Sequence, residues 1–132
     1  MKGLDTNVLV RYLAGDDPRQ SPKAREILLV ECTPEDPGVI NRVVLCELAW
    51  VLKRSYGFSR DQIADSIEKL FTTAELLLED DADVWEALAL YRRGEADFSD
   101  CLVGLTNAGM GCESTLTFDR NAGRLETFSL IE

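Results

Sequence analysis

The chain predicts an α/β domain with a mostly parallel sheet covered by helices on both faces. Three observations carry that expectation. Five short strand-like runs alternate with helical patterns, each helix candidate opens on a recognisable start signal or apolar stripe, and no internal repeat, low-complexity tract or linker breaks the 132 residues. That length is one ordinary domain, residues 1–132, able to bury about two thirds of the surface its unfolded form exposes.

The elements follow in order. Lys2 to Leu4 reads as the first strand, and Asp5 or Thr6 caps a helix starting at Asn7. Ser21-Pro22 supplies an N-cap and a first-turn proline to a helix with Ala24, Ile27 and Leu28 on one face. Thr33-Pro34-Glu35-Asp36-Pro37-Gly38 is a loop, and Val39 to Ile40 is the second strand. An apolar helix runs through Val43 to Leu52. Ser59-x-x-Gln62 is a capping box ahead of Ile63, Ile67, Leu70 and Phe71 at helical spacing. Glu75 to Leu78 is the third strand, and the acidic run Glu79 to Asp83 reads as a solvated helix N-terminus before the stripe Val84, Leu88 and Tyr91. A helix opens near Asp97 and Asp100. The last strands are Thr115 to Phe118 and Thr127 to Leu130, with a short helix at Arg120 to Gly123 between them.

Composition narrows the chemistry. There is no histidine, so no Ser-His-Asp triad, Cys-His pair or His-ligated metal can be built within this chain. Cys32, Cys46, Cys101 and Cys112 show no C-x-x-C spacing, which argues against a zinc site, and Cys46 and Cys101 lie in apolar runs as small core residues. The net charge is −10, with no basic stripe for gripping a phosphate backbone by charge alone. It suits solubility and also association with a basic partner segment. The opening MKGLD puts an acid where an export signal needs an apolar stretch, and no apolar run approaches bilayer length, so the expectation is a cytoplasmic protein with no membrane association. Catalysis would rest on carboxylates, hydroxyls, amines or an oxygen-held metal.

Five acids stand at informative places. Asp5 and Asp119 each follow a strand, where open α/β sheets bind ligands. Each also has a plain reading as a helix cap. Asp97 and Asp100 stand three apart at a helix start, where a cap and a dipole-favoured acid explain either one. Glu47 has Val43, Val44, Trp50 and Val51 three and four residues away, so its carboxylate is expected on or beside a buried stripe. A buried ion pair with Arg42 or Arg11 and a metal-ligand role are both open there. Asp5, Glu47, Asp100 and Asp119 brought to one rim would repel unless a divalent cation neutralised them. An all-oxygen cluster suits Mg²⁺ or Mn²⁺, which activate water and stabilise phosphate oxygens. A histidine-free, acid-lined rim therefore points to metal-assisted phosphodiester hydrolysis.

LDTNVLVRYL, VVLCELAWVL, ADFSDCL and TFDR, in that order from Leu4 to Asp119, resemble the PIN-domain ribonucleases, and among them the VapC-like toxins of toxin–antitoxin pairs. The resemblance implies a three-layer domain with a five-stranded, mostly parallel sheet of order 3-2-1-4-5. It implies Asp5, Glu47, Asp100 and Asp119 as catalytic residues around Mg²⁺, with Thr6, Asn7 and Asp97 supporting, Asp97 as either a ligand or a neighbour of the ligands. It also implies an RNA substrate cut by water attack to leave a 5′-phosphate, a homodimer, and a small antitoxin covering the acidic site. Glu95 and Cys101 depart from the glycine and alanine frequent in relatives. Arg42 and Arg120 are the RNA contacts to try first, each also readable as a plain surface arginine.

Rival enzymes fit less well. A haloacid-dehalogenase-type phosphotransferase wants a second Asp where Asn7 stands, and a receiver domain wants paired acids after its first strand and a lysine after its last. A non-catalytic PIN-like binding module should have lost one of the acids, and all are present. An RNA-processing nuclease without an antitoxin remains the alternative to a toxin.

Overall fold

All five expected strands form, and every pairing between them is parallel. The computed structural model describes residues Met1–Glu132, which divide into two compact units, Met1–Asp81 and Ala82–Glu132. The first holds β1 (Lys2–Gly3), α1 (Thr6–Ala14), α2 (Gln20–Glu26), β2 (Gly38–Ile40), α3 (Arg42–Tyr56), α4 (Arg60–Phe71) and β3 (Leu76–Leu78). The second holds α5 (Asp81–Arg92, whose first residue belongs to the first unit), α6 (Phe98–Gly109), β4 (Thr115–Thr117) and β5 (Phe128–Leu130), with a 3₁₀ turn at Ala122–Arg124.

One expectation is corrected. The strands form a three-stranded sheet, β1-β2-β3, and a separate two-stranded sheet, β4-β5, rather than one five-stranded sheet of order 3-2-1-4-5. Two-residue β1 commits its ladder to β2, with Lys2 N–H donating to Pro37 O and Leu4 N–H to Val39 O. So short a strand offers few groups for a second ladder.

In the first unit α3 packs on α1 and α4, burying Leu45, Leu48, Ala49 and Leu52. Asn41 caps α3 by accepting from Val44 N–H at 2.8 Å, and Gly57 closes it in the left-handed conformation. The capping box of α4 forms as read from Ser59 and Gln62, with Ile63, Ala64, Ile67 and Leu70 buried. The start of α2 differs. Arg19 holds the N-cap position, and capping comes from Asp17 two residues earlier, whose carboxylate accepts from Gln20 N–H at 2.7 Å and Arg19 N–H at 2.9 Å. Ser21 lies inside the helix, and its buried hydroxyl donates to Arg11 O at 2.7 Å, tying α1 to α2. A carboxylate that reaches two otherwise unbonded N–H groups is the stronger cap. Beyond Glu26 the helix continues as a π-turn to Glu31, closed by Cys32 N–H on Ile27 O.

The acidic run after β3 is also more engaged than a solvated terminus. Glu79 accepts from Arg42 N–H at 2.9 Å, and Asp80, held at φ +49°, forms an ion pair with the Arg42 guanidinium. Both acids sit at the N-terminus of α3, where negative charge is favoured.

In the second unit the stripe Val84, Leu88 and Tyr91 is buried, and Tyr91 meets Phe98 edge to face at 6.1 Å. Cys101 is buried as expected, and α6 packs on β4. No helix is long and apolar enough to cross a membrane.

Candidate functional site

The candidate residues fall into two groups, one in each unit. In the first unit, Asp5 follows β1 and sits at the N-cap of α1 with extended backbone, its carboxylate accepting from Thr6 N–H at 2.8 Å. Helix α1 then starts at Thr6, one residue earlier than the sequence suggested. Thr6 is 6% exposed, and its hydroxyl donates to Glu47 Oε1 on α3. This bond joins residues 41 apart in the chain and fixes one carboxylate oxygen of Glu47. Asp5, Thr6, Asn7 and Glu47 line one cavity of about 530 Å³ together with Arg11 and Tyr56.

The expectation for Glu47 is corrected in part. It is an exposed residue, because the face of α3 that carries it is itself exposed: Val43 is 72% and Trp50 56% exposed. The stripe that is buried is the neighbouring one through Leu45, Leu48 and Leu52. Arg54 lies over the Trp50 ring at 5.4 Å, which shields part of that apolar surface. Of the two arginines open as ion-pair partners for Glu47, Arg42 is directed to Glu79 and Asp80, and Arg11 to Gln20, Asp16 and Tyr56. The partner Glu47 takes is the Thr6 hydroxyl.

In the second unit, Asp97 holds the N-cap position of α6 without a capping hydrogen bond, and Asp100 is the acid of its first turn. Asp100 is half-buried. Burial pushes its carboxyl above the ordinary Asp value, and the charges of Asp97 and Asp119 push the same way. Asp119, after β4, accepts from Asn121 N–H at 2.8 Å, while its own N–H donates to Thr117 Oγ1 at 3.0 Å. Asp100 is thus a carboxyl held partly out of water within reach of the charges of Asp97 and Asp119, a place where a counter-charge would be favoured. Arg120 lies on a different cavity, with Arg124 and Phe118.

The donor chemistry fits a hard divalent cation. Every candidate ligand is a carboxylate, Thr6 adds a hydroxyl, and no histidine or grouped cysteine competes. Within neither unit do three such side chains stand close enough together to enclose a metal ion.

Sequence reasoning missed the Thr6–Glu47 bond, the hold of Glu79 and Asp80 on Arg42, and the Asp17 cap. Only Asp17 left a local signal, an acid three residues before the first helical residue, Gln20.

Comparison with known proteins identifies the family. The PIN domain family matches residues 3–127. A curated VapC ribonuclease from Aquifex aeolicus (strain VF5) is 26% identical over 126 residues, covering 95% of this chain and 92% of that protein. No solved structure matches the chain. With the family matched over nearly every element described above, the chain belongs to the PIN-domain family.

Proposed function

We propose that this protein is a divalent-metal-dependent endoribonuclease that cuts RNA by water attack, and that it serves as the toxin of a toxin–antitoxin pair. The observation that carries the reading is half-buried Asp100, whose carboxyl is raised by burial and by the charges of Asp97 and Asp119, in a chain of the PIN-domain family. The full-length similarity to a VapC ribonuclease supports the RNA substrate and a small antitoxin partner. A homodimer and a cytoplasmic setting belong to the same reading.

In this proposal Asp5, Glu47, Asp100 and Asp119 hold Mg²⁺ or Mn²⁺, and each is needed for cleavage. When bound, such a cation would supply Lewis acidity toward water and the phosphate oxygens. The chain's own residues prepare for it. Thr6 holds Glu47 Oε1 and leaves Oε2 for a ligand. Thr6 N–H fixes one oxygen of Asp5 in the same way. Asn7 lines the cavity that holds Asp5, and Asp97 adds to the demand of Asp100 for a positive partner. Arg42, held by Glu79 and Asp80, orients the N-terminus of α3 and so the helix that carries Glu47.

The test is incubation of the purified chain with a structured RNA mixture, with Mg²⁺ or Mn²⁺ and with EDTA, beside Asp5→Asn and Asp100→Asn. Cuts that require metal, leave 5′-phosphates and vanish in both variants are expected. Equal cutting by variants and parent would refute the site assignment. Metal-independent cutting would refute the mechanism. No cutting and no metal binding would move the chain to the non-catalytic binding modules.

A further inference from the structure

We propose that the cavity lined by Phe118, Arg120 and Arg124 is a binding site for one unpaired nucleotide of the RNA, with its base on Phe118 and its phosphates on the two arginines. The inference rests on the ribonuclease reading above and names the residues that would hold its substrate. The cavity is about 700 Å³ and is lined by Phe118, Arg120, Gly123, Arg124, Leu130 and Ile131, with Glu132 as its acid. That volume is within the usual range for small-ligand pockets.

Three features separate it from the rest of the surface. The second unit carries only four cations, Arg92, Arg93, Arg120 and Arg124, and two of them share this wall. Neither Arg120 nor Arg124 forms an ion pair, although acids outnumber bases by ten in the chain and Arg42 and Arg11 are both taken up by acids. Phe118 is 78% exposed, so most of its ring stands in water on a wall it shares with two arginines. An aromatic face with adjacent arginines is the chemistry that binds single-stranded nucleic acid, stacking a base and neutralising phosphate.

The wall is also pre-organised. Gly123 N–H donates to Asp119 O at 2.9 Å, Arg124 N–H to Asn121 O at 3.2 Å and Leu125 N–H to Ala122 O at 3.0 Å, so the segment between the two arginines is a bonded turn. Gly123 lets that turn sit against β5, since a Cβ there would lie 3.0 Å from Leu130 Cβ. Little backbone ordering is left for binding to impose. Phe118 and Arg120 flank Asp119 in the chain, so the cavity shares its wall segment with a carboxylate assigned to the reaction. A −10 chain thereby gains a local cationic foothold without a basic stripe.

The test uses the full chain in EDTA and a short fluorescein-labelled oligouridylate, followed by anisotropy over a range of salt. Phe118→Ala is expected to weaken binding by about 5- to 100-fold, while Phe118→Trp stays near the parent. Arg120→Ala with Arg124→Ala should flatten the salt dependence by about 1.4 in log–log slope, roughly 0.7 for each phosphate left without its arginine. Thermal melts of the variants should match the parent, since all three side chains face solvent. Unchanged affinity and slope in these variants would overturn the site and leave the ribonuclease reading standing. So would a parent that cleaves the RNA mixture with metal yet shows no affinity for the oligonucleotide. Variants that hold RNA as the parent does but lose a protein partner would reassign the cavity to that protein. A parent that neither binds nor cleaves RNA would remove both readings together.

Discussion

Gly104→Ala probes the tightest fit in the second unit. Gly104 is buried in the middle of α6, and an added Cβ would lie 2.2 Å from Thr127 Oγ1, 2.7 Å from Phe128 Cε1 and 3.0 Å from Thr127 Cβ. Alanine in a helix interior gains about 1 kcal/mol over glycine. Against that, overpacking a close-fitted site costs about 1–3 kcal/mol, and the upper end applies here. Rotating Thr127 would move its hydroxyl, but Thr127 Cβ can move only with its backbone, whose carbonyl accepts from Thr115 N–H at 2.8 Å beside the β4–β5 ladder. The expected net loss is about 2 kcal/mol. At about 2.1 cal/mol/K per residue the unfolding entropy of 132 residues is roughly 0.28 kcal/mol/K, so Tm should fall by about 7 °C. Calorimetry and urea unfolding followed by circular dichroism read the loss. Thr127→Ala removes both the clashing oxygen and the one buried hydroxyl without a hydrogen-bond partner, so the double variant should recover about 1 kcal/mol relative to additivity. A Gly104→Ala protein as stable as the parent would show that the helix propensity term dominates and that this fit is slack.

Three further outcomes are expected. Thr6→Val keeps the shape of a buried residue while deleting the donor to Glu47, so RNA cleavage should fall by about 10- to 100-fold with Tm nearly unchanged, and Thr6→Ser should retain activity; equal cleavage by Thr6→Val would show that the bond does not position Glu47. The carboxyl of Asp17 is lowered from the ordinary value of 3.8 by the N–H groups of Gln20 and Arg19, so its stabilisation is complete above that value and is lost as pH falls through the lower folded one. The Tm gap between parent and Asp17→Ala should therefore be constant near neutrality and close below about pH 4; a gap that widens on acidification would reverse the sign. Mg²⁺ or Mn²⁺ at about 100 times its Kd should stabilise the fold by about 2.7 kcal/mol, read as a rise in Tm, and the Asp5→Asn, Asp100→Asn double variant should lose most of it; an undiminished rise would place the cation elsewhere.

Local signals were legible and distant ones were not. The capping box at Ser59 and Gln62, the cap at Asp5 and the strand ends at Leu78 and Thr117 all depend on residues within a few positions, and they stand near where the sequence puts them. Glu47 shows the limit. Its apolar neighbours mark a stripe, but periodicity does not say which of two adjacent stripes on an apolar helix meets the core, and α3 buries the one through Leu45, Leu48 and Leu52. Val43 and Trp50 remain outside, as exposed apolar side chains commonly do. The sheet is a second case. Five strands are visible one by one, yet which neighbour each pairs with depends on how many ladder groups it has free, and two-residue β1 has few. Thr6 with Glu47, and Arg42 with Glu79, join residues 41 and 37 apart, and no local pattern announces them.

The acids of the candidate site also explain why the fold and the cation should be linked. Asp100 binds its proton more tightly in the folded protein than in the unfolded chain, because it is half-buried and faces the charges of Asp97 and Asp119. A group raised in this way favours the fold at low pH and detracts from it once pH has passed the folded value, so in its ionised form the carboxylate is a net cost to stability. The same arrangement gives a divalent cation more to gain there than beside a solvated acid, because it removes repulsion as well as making bonds. In the first unit Thr6 acts in the opposite sense, giving Glu47 a donor that lets an exposed carboxylate hold one position. Of the proposed ligands, then, Asp100 is unfavourable until positive charge arrives, whereas Glu47 is already set in place.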